Sequence, residues 1–187
     1  MHDLAPLAPL GFDTPQVVSH GDTTLTELPD VALASVAARL GREDATRSGL
    51  HTVIGAPAPG PGRFVQGPDL GAFWIGPDQW MIEASYATHE LLADTLASAF
   101  GGTASVTEQS DGWCRFDMTG PRLFDVFELL CPVDLRPAEP GLATRTTIDH
   151  LGCLLVMRET TQISVMGPRS AAHSLWHALE TAMRAAA

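Results

Sequence analysis

The chain has 187 residues, which is enough for one domain with a sizeable hydrophobic core. Hydrophobic residues make up 45% of it and charged residues 18%, a globular composition that leaves some apolar surface for burial against another protein. The net charge of -11 argues against nucleic acid or an anionic membrane as partner, because both require clustered Lys and Arg. The first ten residues resemble no signal peptide and no window is apolar enough to span a membrane, so a cytoplasmic location is expected.

The beginning of the chain is rich in proline. Residues 1–28 have few regular apolar spacings, which predicts an extended Pro-rich N-terminal arm that must lie on another surface to be ordered. Residues 29–187 are expected to form a single α+β domain. Its first element is predicted to be a short helix at 31–40, with Asp30 as N-cap and Gly41 as the stop.

The rest of the chain alternates between helical and strand patterns. Helices are predicted at 43–54, 88–100, 121–130 and 168–184. Strands are predicted at 73–75, 80–85, 105–108, 113–118, 144–149, 153–158 and 162–166. Turns are expected at 76–79 and 109–112, and a loop is expected at 55–62 because Pro and Gly dominate that stretch.

One pattern occurs twice. The segments MTGPR at 118–122 and VMGPR at 165–169 each combine a strand end, a Gly-Pro step, an Arg and a following helix. Pro is tolerated at a helix start because its missing N–H would have no partner there. The repeat predicts two related β-α units, and therefore an α+β fold with helices packed on antiparallel sheets.

The two arginines of this repeat are candidate anion contacts. Arg122 and Arg169 would each lie at a helix start, where free backbone N–H groups and a guanidinium could bind a carboxylate or phosphate. The alternative is that each lies on the surface or pairs with a nearby acid such as Asp125.

Aromatic residues mark candidate interface contacts. Trp113 and Arg115 share one face of a predicted strand, and an aromatic side chain beside an Arg is common in interfaces. A covered sheet edge would explain the same pair. The helix at 121–131 is apolar on most sides, Phe124 and Phe127 included, so either the domain encloses it or a partner subunit covers it.

The sequence nominates no catalytic, cofactor-binding or metal-binding residues. His173 and His177 could chelate a metal from one helix face, but such a site needs a third ligand, and an exposed helix face is the favoured interpretation. The chain has no lysine, which excludes Schiff-base catalysis, and no nucleotide-binding loop or nucleophile turn. Cys114, Cys131 and Cys153 lie among apolar neighbours, which is typical of buried reduced thiols rather than of a disulfide framework.

Several motifs, taken in order, resemble those of one known family. FWIGPDQWMI at 73–82 is similar to the family's W-x-G-P-D-x-W-L-I, and VTEQS at 106–110 to its V-T-D-Q-S. GPR at 120–122 is similar to S-G-P-x-A, and CPVDL at 131–135 to G-C-P-L-D-L. Near the end, GPRS at 167–170 is similar to V-P-R-S, and LW at 175–176 to the L-W that follows it. By these motifs the chain resembles the gamma subunits of heterotetrameric sarcosine oxidases. Glu108 in place of Asp, and Gly167 before Pro168, are mild departures.

The resemblance implies a fold related to the folate-binding domain of glycine-cleavage T-proteins, and a non-catalytic, structural role. The implied partners are alpha, beta and delta subunits of a complex that demethylates sarcosine oxidatively to glycine. Tetrahydrofolate is the one-carbon acceptor of that reaction and hydrogen peroxide its by-product. FAD, FMN, NAD, zinc and tetrahydrofolate are expected on the partner subunits, and no cofactor is expected on this chain. The Pro-rich arm and the helix at 121–131 are expected at subunit contacts.

Two other functions remain open. One is a free-standing folate-binding or aminomethyltransferase-like protein of the same fold, in which a strand carboxylate such as Asp117 would bind the pterin. Such transferases are usually about twice as long as this chain. The other is an adaptor for a different oxidoreductase, which would bring different partners with it on purification.

Overall fold

The computed structural model of the protein describes residues 7–187. The helices of these residues are α1 Glu43–Ile54, α2 Leu92–Phe100, α3 Leu123–Glu128 and α4 Ala172–Ala186. The strands are β1 Val17–His20, β2 Thr23–Glu27, β3 Ala32–Ala38, β4 Phe64–Gln66, β5 Gly71–Gly76, β6 Gln79–Ala84, β7 Ala104–Glu108, β8 Trp113–Thr119, β9 Ala143–Ile148, β10 Leu151–Glu159 and β11 Gln162–Pro168. The fold is α+β, with antiparallel strand pairs, as predicted.

The chain divides into two compact units. Unit 1 comprises the described residues up to Pro29, together with Gly112–Pro140 and Arg145–Ala187. Unit 2 comprises Asp30–Asp111 and Gly141–Thr144. The strands form a six-stranded sheet in the order β1-β2-β8-β11-β10-β9 and a five-stranded sheet in the order β4-β5-β6-β3-β7.

In unit 1, helix α4 packs on one face of the six-stranded sheet. Cys114, Phe116 and Met118 alternate along β8 and are all buried, which is the alternation predicted for this strand. The ring of Phe116 meets Trp176 of α4 edge-on, with 5.3 Å between the ring centroids. This is a favourable aromatic geometry, and it helps to fix α4 on the sheet.

A glycine allows α4 to come close to the sheet. Gly167 in β11 pairs with Cys114 in β8, and a Cβ atom at Gly167 would lie 2.5 Å from Cδ2 of Leu175. Leu175 is fully buried and occupies the space that a side chain at this position would need. The Gly that departs from the family motif therefore has a packing role.

The core of unit 2 lies between the five-stranded sheet and helices α1 and α2. Buried side chains from both helices and the central strands form it: Ala32, Ala34, Val36, Leu50, Ile54, Leu70, Ala72, Trp80, Ile82, Leu92, Leu96, Phe100 and Ala104. Trp80 is fully buried, and its Nε1–H donates to the carbonyl of Pro59 at 2.9 Å, which ties the predicted loop at 55–62 to the sheet. The guanidinium of Arg47 lies 5.2 Å from the Trp80 ring centroid.

The helix predicted at 31–40 is wrong, because β3 occupies this segment. β3 pairs with β6 on one side and with β7 on the other, so its backbone groups are bonded between strands. Ala32, Ala34 and Val36 are fully buried at alternate positions. Asp30 caps no helix; it accepts hydrogen bonds from the Ser85 hydroxyl and the Ala87 N–H, both at 2.7 Å.

Other segments differ from their predictions in smaller ways. Residues 17–27 of the predicted arm form strands β1 and β2, and β2 pairs with β8, while residues 1–6 lie outside the described residues. Strand β4 was not predicted. The two strands predicted on either side of the turn at 109–112 are present, and they belong to different sheets. The other predicted helices and strands are present, with bounds shifted by up to about one helical turn. The domain boundary at residue 29 stays a prediction.

Candidate functional site

An ion pair lies on the face of β8 that turns away from α4. Arg115 donates from Nε to Oδ1 of Asp117 at 2.8 Å and from Nη2 to Oδ2 at 2.9 Å. The pair is therefore bidentate, the strongest arrangement of these two groups. Asp117 is only 5% exposed. Trp113, at the start of the same strand, is half-buried.

Strand β11 adds further donors to the Asp117 carboxylate. Gln162 Nε2 donates to Oδ2 at 3.1 Å, and Ser164, which pairs with Asp117 in the ladder, also bonds to the carboxylate. Arg158 in turn donates from Nε to the Ser164 hydroxyl at 3.0 Å. Burial raises the pKa of Asp117, but the hydrogen bonds and charge of Arg115 outweigh it, so the pKa is lowered overall.

The Asp117 carboxylate is already fully hydrogen-bonded. Arg115 supplies two bonds, and Gln162 and Ser164 supply one each. A carboxylate has about four acceptor positions, so a pterin would have to displace one of these partners. The cluster thus has the chemistry of a structural polar network rather than of an open ligand site.

Arg122 belongs to a surface charge network at α3. Its Nε donates to Oδ2 of Asp125 at 2.9 Å, and Arg136 bonds to both Asp125 and Glu128. Hydrogen bonds from Arg136 and Arg122 lower the pKa of Asp125. Two arginines face two carboxylates here, so the network carries no surplus positive charge for an anion.

Arg169 holds a different partner. Its Nη2 donates to the backbone carbonyl of Leu7 at 2.7 Å, a residue 162 positions away in the sequence. The guanidinium thereby fastens the N-terminal segment to unit 1. Sequence reasoning placed Arg169 at a helix start but could not foresee this contact, because backbone carbonyls carry no sequence signal.

Helix α3 has one buried side and one partly open side. Phe127 is 1% exposed and belongs to the core of unit 1, together with Leu123 and Val126. Phe124 is half-buried, and Leu129 just after the helix is 60% exposed. The apolar character of this segment is thus only partly explained by packing within the described chain.

A groove lies beside Leu129. It has a volume of about 540 Å³ and is open to solvent. The end of α3, the β9–β10 turn and one side of α4 line it, through Leu129, Leu130, Asp149, His177, Ala178, Thr181, Ala182 and Ala185. The lining is mostly small or apolar, which is typical of a surface that receives part of another molecule.

In the described part of the chain, the histidines and cysteines show no arrangement for metal binding. His173 and His177 are exposed on α4, and no group of three or more His, Cys, Asp or Glu side chains within residues 7–187 could hold a metal ion. All three cysteines are free; Cys114 and Cys153 are buried and Cys131 is half-buried. Burial raises the pKa of the Cys114 thiol, and likewise that of Cys153, to about 11.

Sequence reasoning missed one residue that organises unit 1. Glu27 at the end of β2 is fully buried, and its carboxylate accepts the N–H of Leu10 at 2.8 Å and of Gln16 at 3.0 Å. A signal was present: Glu27 follows Leu25 at the strand spacing of two, so a charged residue occupies an inward position. Such a residue needs hydrogen-bond partners, and the chain before β1 provides them.

The fold can be compared with solved structures. No family model matches the sequence, and no curated protein matches it. The chain is similar to a chain of the heterotetrameric sarcosine oxidase from Corynebacterium sp. U-96, solved in complex with pyrrole 2-carboxylate. The identity is 24% over 88% of this chain and 86% of that one, with a TM-score of 0.75. It is also similar to the glycine cleavage system aminomethyltransferase T from Bartonella henselae, with 12% identity and a TM-score of 0.62.

These comparisons establish the fold. The chain has the α+β fold that occurs in a subunit of that sarcosine oxidase and in aminomethyltransferase T, as the sequence motifs predicted. The match covers 86% of this chain but 46% of the aminomethyltransferase, so the chain spans about half of that protein's length. Within residues 7–187, no helix is both long and apolar enough to cross a bilayer.

Proposed function

We propose that the chain is the gamma subunit of a heterotetrameric sarcosine oxidase and that it serves there as a structural subunit. The observation that carries the proposal is the similarity to a sarcosine oxidase chain over nearly the full length of both chains, 88% and 86%. Motifs that resemble those of gamma subunits occur in order along the same stretch. The partners are alpha, beta and delta subunits, in a cytoplasmic complex.

The chemistry of the complex resides on the other subunits. These bind FAD, FMN, NAD, zinc and tetrahydrofolate, and together they convert sarcosine to glycine with release of hydrogen peroxide. Two observations support a structural role for this chain. The carboxylate of Asp117 is fully hydrogen-bonded, and the positive charge of Arg122 is balanced by neighbouring carboxylates. The groove beside Leu129, together with the N-terminal segment, provides the contacts to the partner subunits.

The similarity to aminomethyltransferase T favours the second candidate, a free-standing folate-binding protein. Two observations oppose this candidate. The chain spans less than half of that relative's length, and the carboxylate considered for the pterin is fully hydrogen-bonded. The structural subunit is therefore the better-supported function.

Co-purification tests the proposal. An affinity-tagged chain is expressed together with the proteins encoded beside it, and the eluate is analysed for chain composition, absorbance and peroxide production from sarcosine. We expect a yellow, multi-chain eluate that produces peroxide only when sarcosine is added. The matched control is the same co-expression with this chain untagged, which should yield no partner chains in the eluate.

Two other results would each reject the proposal. A colourless eluate that contains the tagged chain alone would favour the folate-binding protein. A multi-chain eluate with a redox cofactor but no activity on sarcosine would favour an adaptor for another oxidoreductase.

A further inference from the structure

Several of the exposed large hydrophobic side chains lie in one short stretch of sequence near the start of the described residues. Seven such side chains are exposed in residues 7–187, and three of them lie between residues 7 and 17. Leu7 and Phe12 are each 50% exposed, and Val17, the first residue of the edge strand β1, is 62% exposed. Exposed apolar side chains concentrated in one short segment are unfavourable in water and are typical of a segment that another protein covers.

Hydrogen bonds from the side chains of Glu27 and Arg169 fix the backbone of the same segment. Glu27 accepts the N–H of Leu10 with one carboxylate oxygen and the N–H of Gln16 with the other. Arg169 donates to the carbonyl of Leu7, and the side chain of Leu10 is only 3% exposed. A fully buried carboxylate is thus committed to holding the two ends of the segment 10–16 in place.

Local structure restricts the segment further. The N–H of Gly11 donates to the carbonyl of Ala8 at 2.8 Å, which closes a tight turn, and Gly11 has a φ of 75° that suits glycine. Pro9 and Pro15 fix two more φ angles. A segment that is rigid before it binds loses little conformational entropy on binding, so its exposed side chains can act as anchors.

We propose that residues 7–17 are a preformed docking element, in which Glu27 and Arg169 hold the backbone while Leu7, Phe12 and Val17 insert into an apolar pocket of a partner protein. The inference rests on the proposed function, since the partner is one of the other subunits of the complex. It adds which residues make the contact, and that Glu27 and Arg169 order them.

Charge defines the pocket more closely. Asp13 is the single charged residue between Leu7 and Gln16, it is exposed, and the whole chain has a net charge of -11. An acidic rim on the partner would be repelled, whereas a basic rim would be attracted. The pocket is therefore apolar in its centre and carries Arg or Lys at its edge.

Matched variants test the docking surface in the co-expressed complex. The double variant Leu7→Ser with Phe12→Ser removes two of the three anchors, and Leu40→Ser is the control because Leu40 is 98% exposed in unit 2. We expect the tagged double variant to retain at least about tenfold less partner protein in the co-expression eluate than the wild type, and the control to retain as much as the wild type. Unfolding curves of the isolated variants verify that both fold.

The role of Glu27 in fixing residues 10–16 is tested by hydrogen exchange on the isolated chain. Glu27→Gln keeps the shape of the side chain but replaces one acceptor oxygen with a donor, so exchange at Leu10 and Gln16 should accelerate several-fold. Glu139→Gln, an exposed residue of the same unit, is the control and should leave this exchange unchanged. The Glu27 variant should also bind partners more weakly.

The outcomes separate this inference from the proposed function. If the wild type forms the complex and the double variant binds equally well, the docking element is refuted while the subunit assignment stands. Unchanged exchange in Glu27→Gln would refute this role of Glu27 and with it the inference. If the wild type captures no partner, the proposed function fails and the inference fails with it.

Discussion

Arg115 and Asp117 depend on each other because both are largely removed from solvent. The side chains of the pair are 15% and 6% exposed, and each would be costly to bury alone. The sequence predicted that the two residues share a strand face, since they are two positions apart on β8. It could not predict their burial, because Gln162 and Ser164 reach them from β11, far away in the sequence.

Replacement of Asp117 by Asn should destabilise the protein substantially. The change removes the negative charge of Asp117 from its bidentate pair with Arg115, and the loss of one partner of a buried ion pair typically costs about 3 kcal/mol. Urea unfolding at neutral pH measures the difference in the free energy of unfolding from the wild type. Asp125→Asn serves as control, since that residue pairs on the surface, and it should change little.

The same pair should make stability depend on pH in acid. Because the pKa of Asp117 is lowered in the folded state, its contribution is complete above the unfolded value of about 3.9 and is lost as the pH falls through the folded pKa. The gap between wild type and Asp117→Asn should therefore narrow below about pH 4. A gap that stays constant down to pH 2 would contradict this origin of the pKa shift.

The three thiols should differ in reactivity. Cys114 and Cys153 are buried with pKa values raised to about 11, so they are scarcely ionised at neutral pH, whereas Cys131 is half-buried. We expect one thiol per native chain to react readily with a thiol-specific chromogenic reagent, and three in urea. Peptide mapping should place the native label on Cys131; rapid labelling of all three in the native chain would contradict the burial.

At the scale of elements, local signals predicted some segments and misled at others. The helix predicted at 43–54 is present with those bounds as α1, and Gly55, in the left-handed conformation, ends it. The segment 31–40 has the same local character, since Ala is a strong helix former, yet it forms the strand β3. Pairing with strands on both sides outweighs propensity there, and a single sequence does not reveal that pairing.

One glycine should be essential for the packing of α1 in unit 2. A Cβ atom at Gly67 would lie 1.8 Å from the carbonyl oxygen of Ile54, the last residue of the helix, and backbone cannot move aside easily. Gly67→Ala should cost about 3 kcal/mol and lower the melting temperature by roughly 6–12 °C. Gly60→Ala, where nothing lies within 4 Å of the added atom, is the control for thermal unfolding. Equal melting temperatures of the two variants would contradict the clash.

At the scale of the whole molecule, the sequence motifs predicted the fold class. They did not predict which strands pair with each other in the two sheets. β7 and β8 are separated by the predicted turn at 109–112, and the sequence did not reveal that they belong to different sheets. The turn between β5 and β6, which pair with each other, was predicted because its tetrad is a local signal. The order of strands in a sheet depends on contacts between residues far apart in the sequence, so the local spacing of residues cannot predict it.

The isolated chain should not bind tetrahydrofolate. It spans about half of the aminomethyltransferase that it is similar to, and Asp117 has no free acceptor position for a pterin. Titration calorimetry should detect no heat of binding, with an intact aminomethyltransferase T as positive control. Saturable binding that is abolished in Asp117→Asn would reverse the functional conclusion.

The unequal burial of the cysteines also has a practical consequence. Cys131 lies two residues after Leu129, which lines the groove, so a fluorophore attached to Cys131 would report on binding near that surface. The natural sequence is thus already a single-label sensor, and no cysteine has to be removed or introduced. When the labelled chain is mixed with each candidate subunit in turn, a change in fluorescence emission would show which subunit binds at this surface.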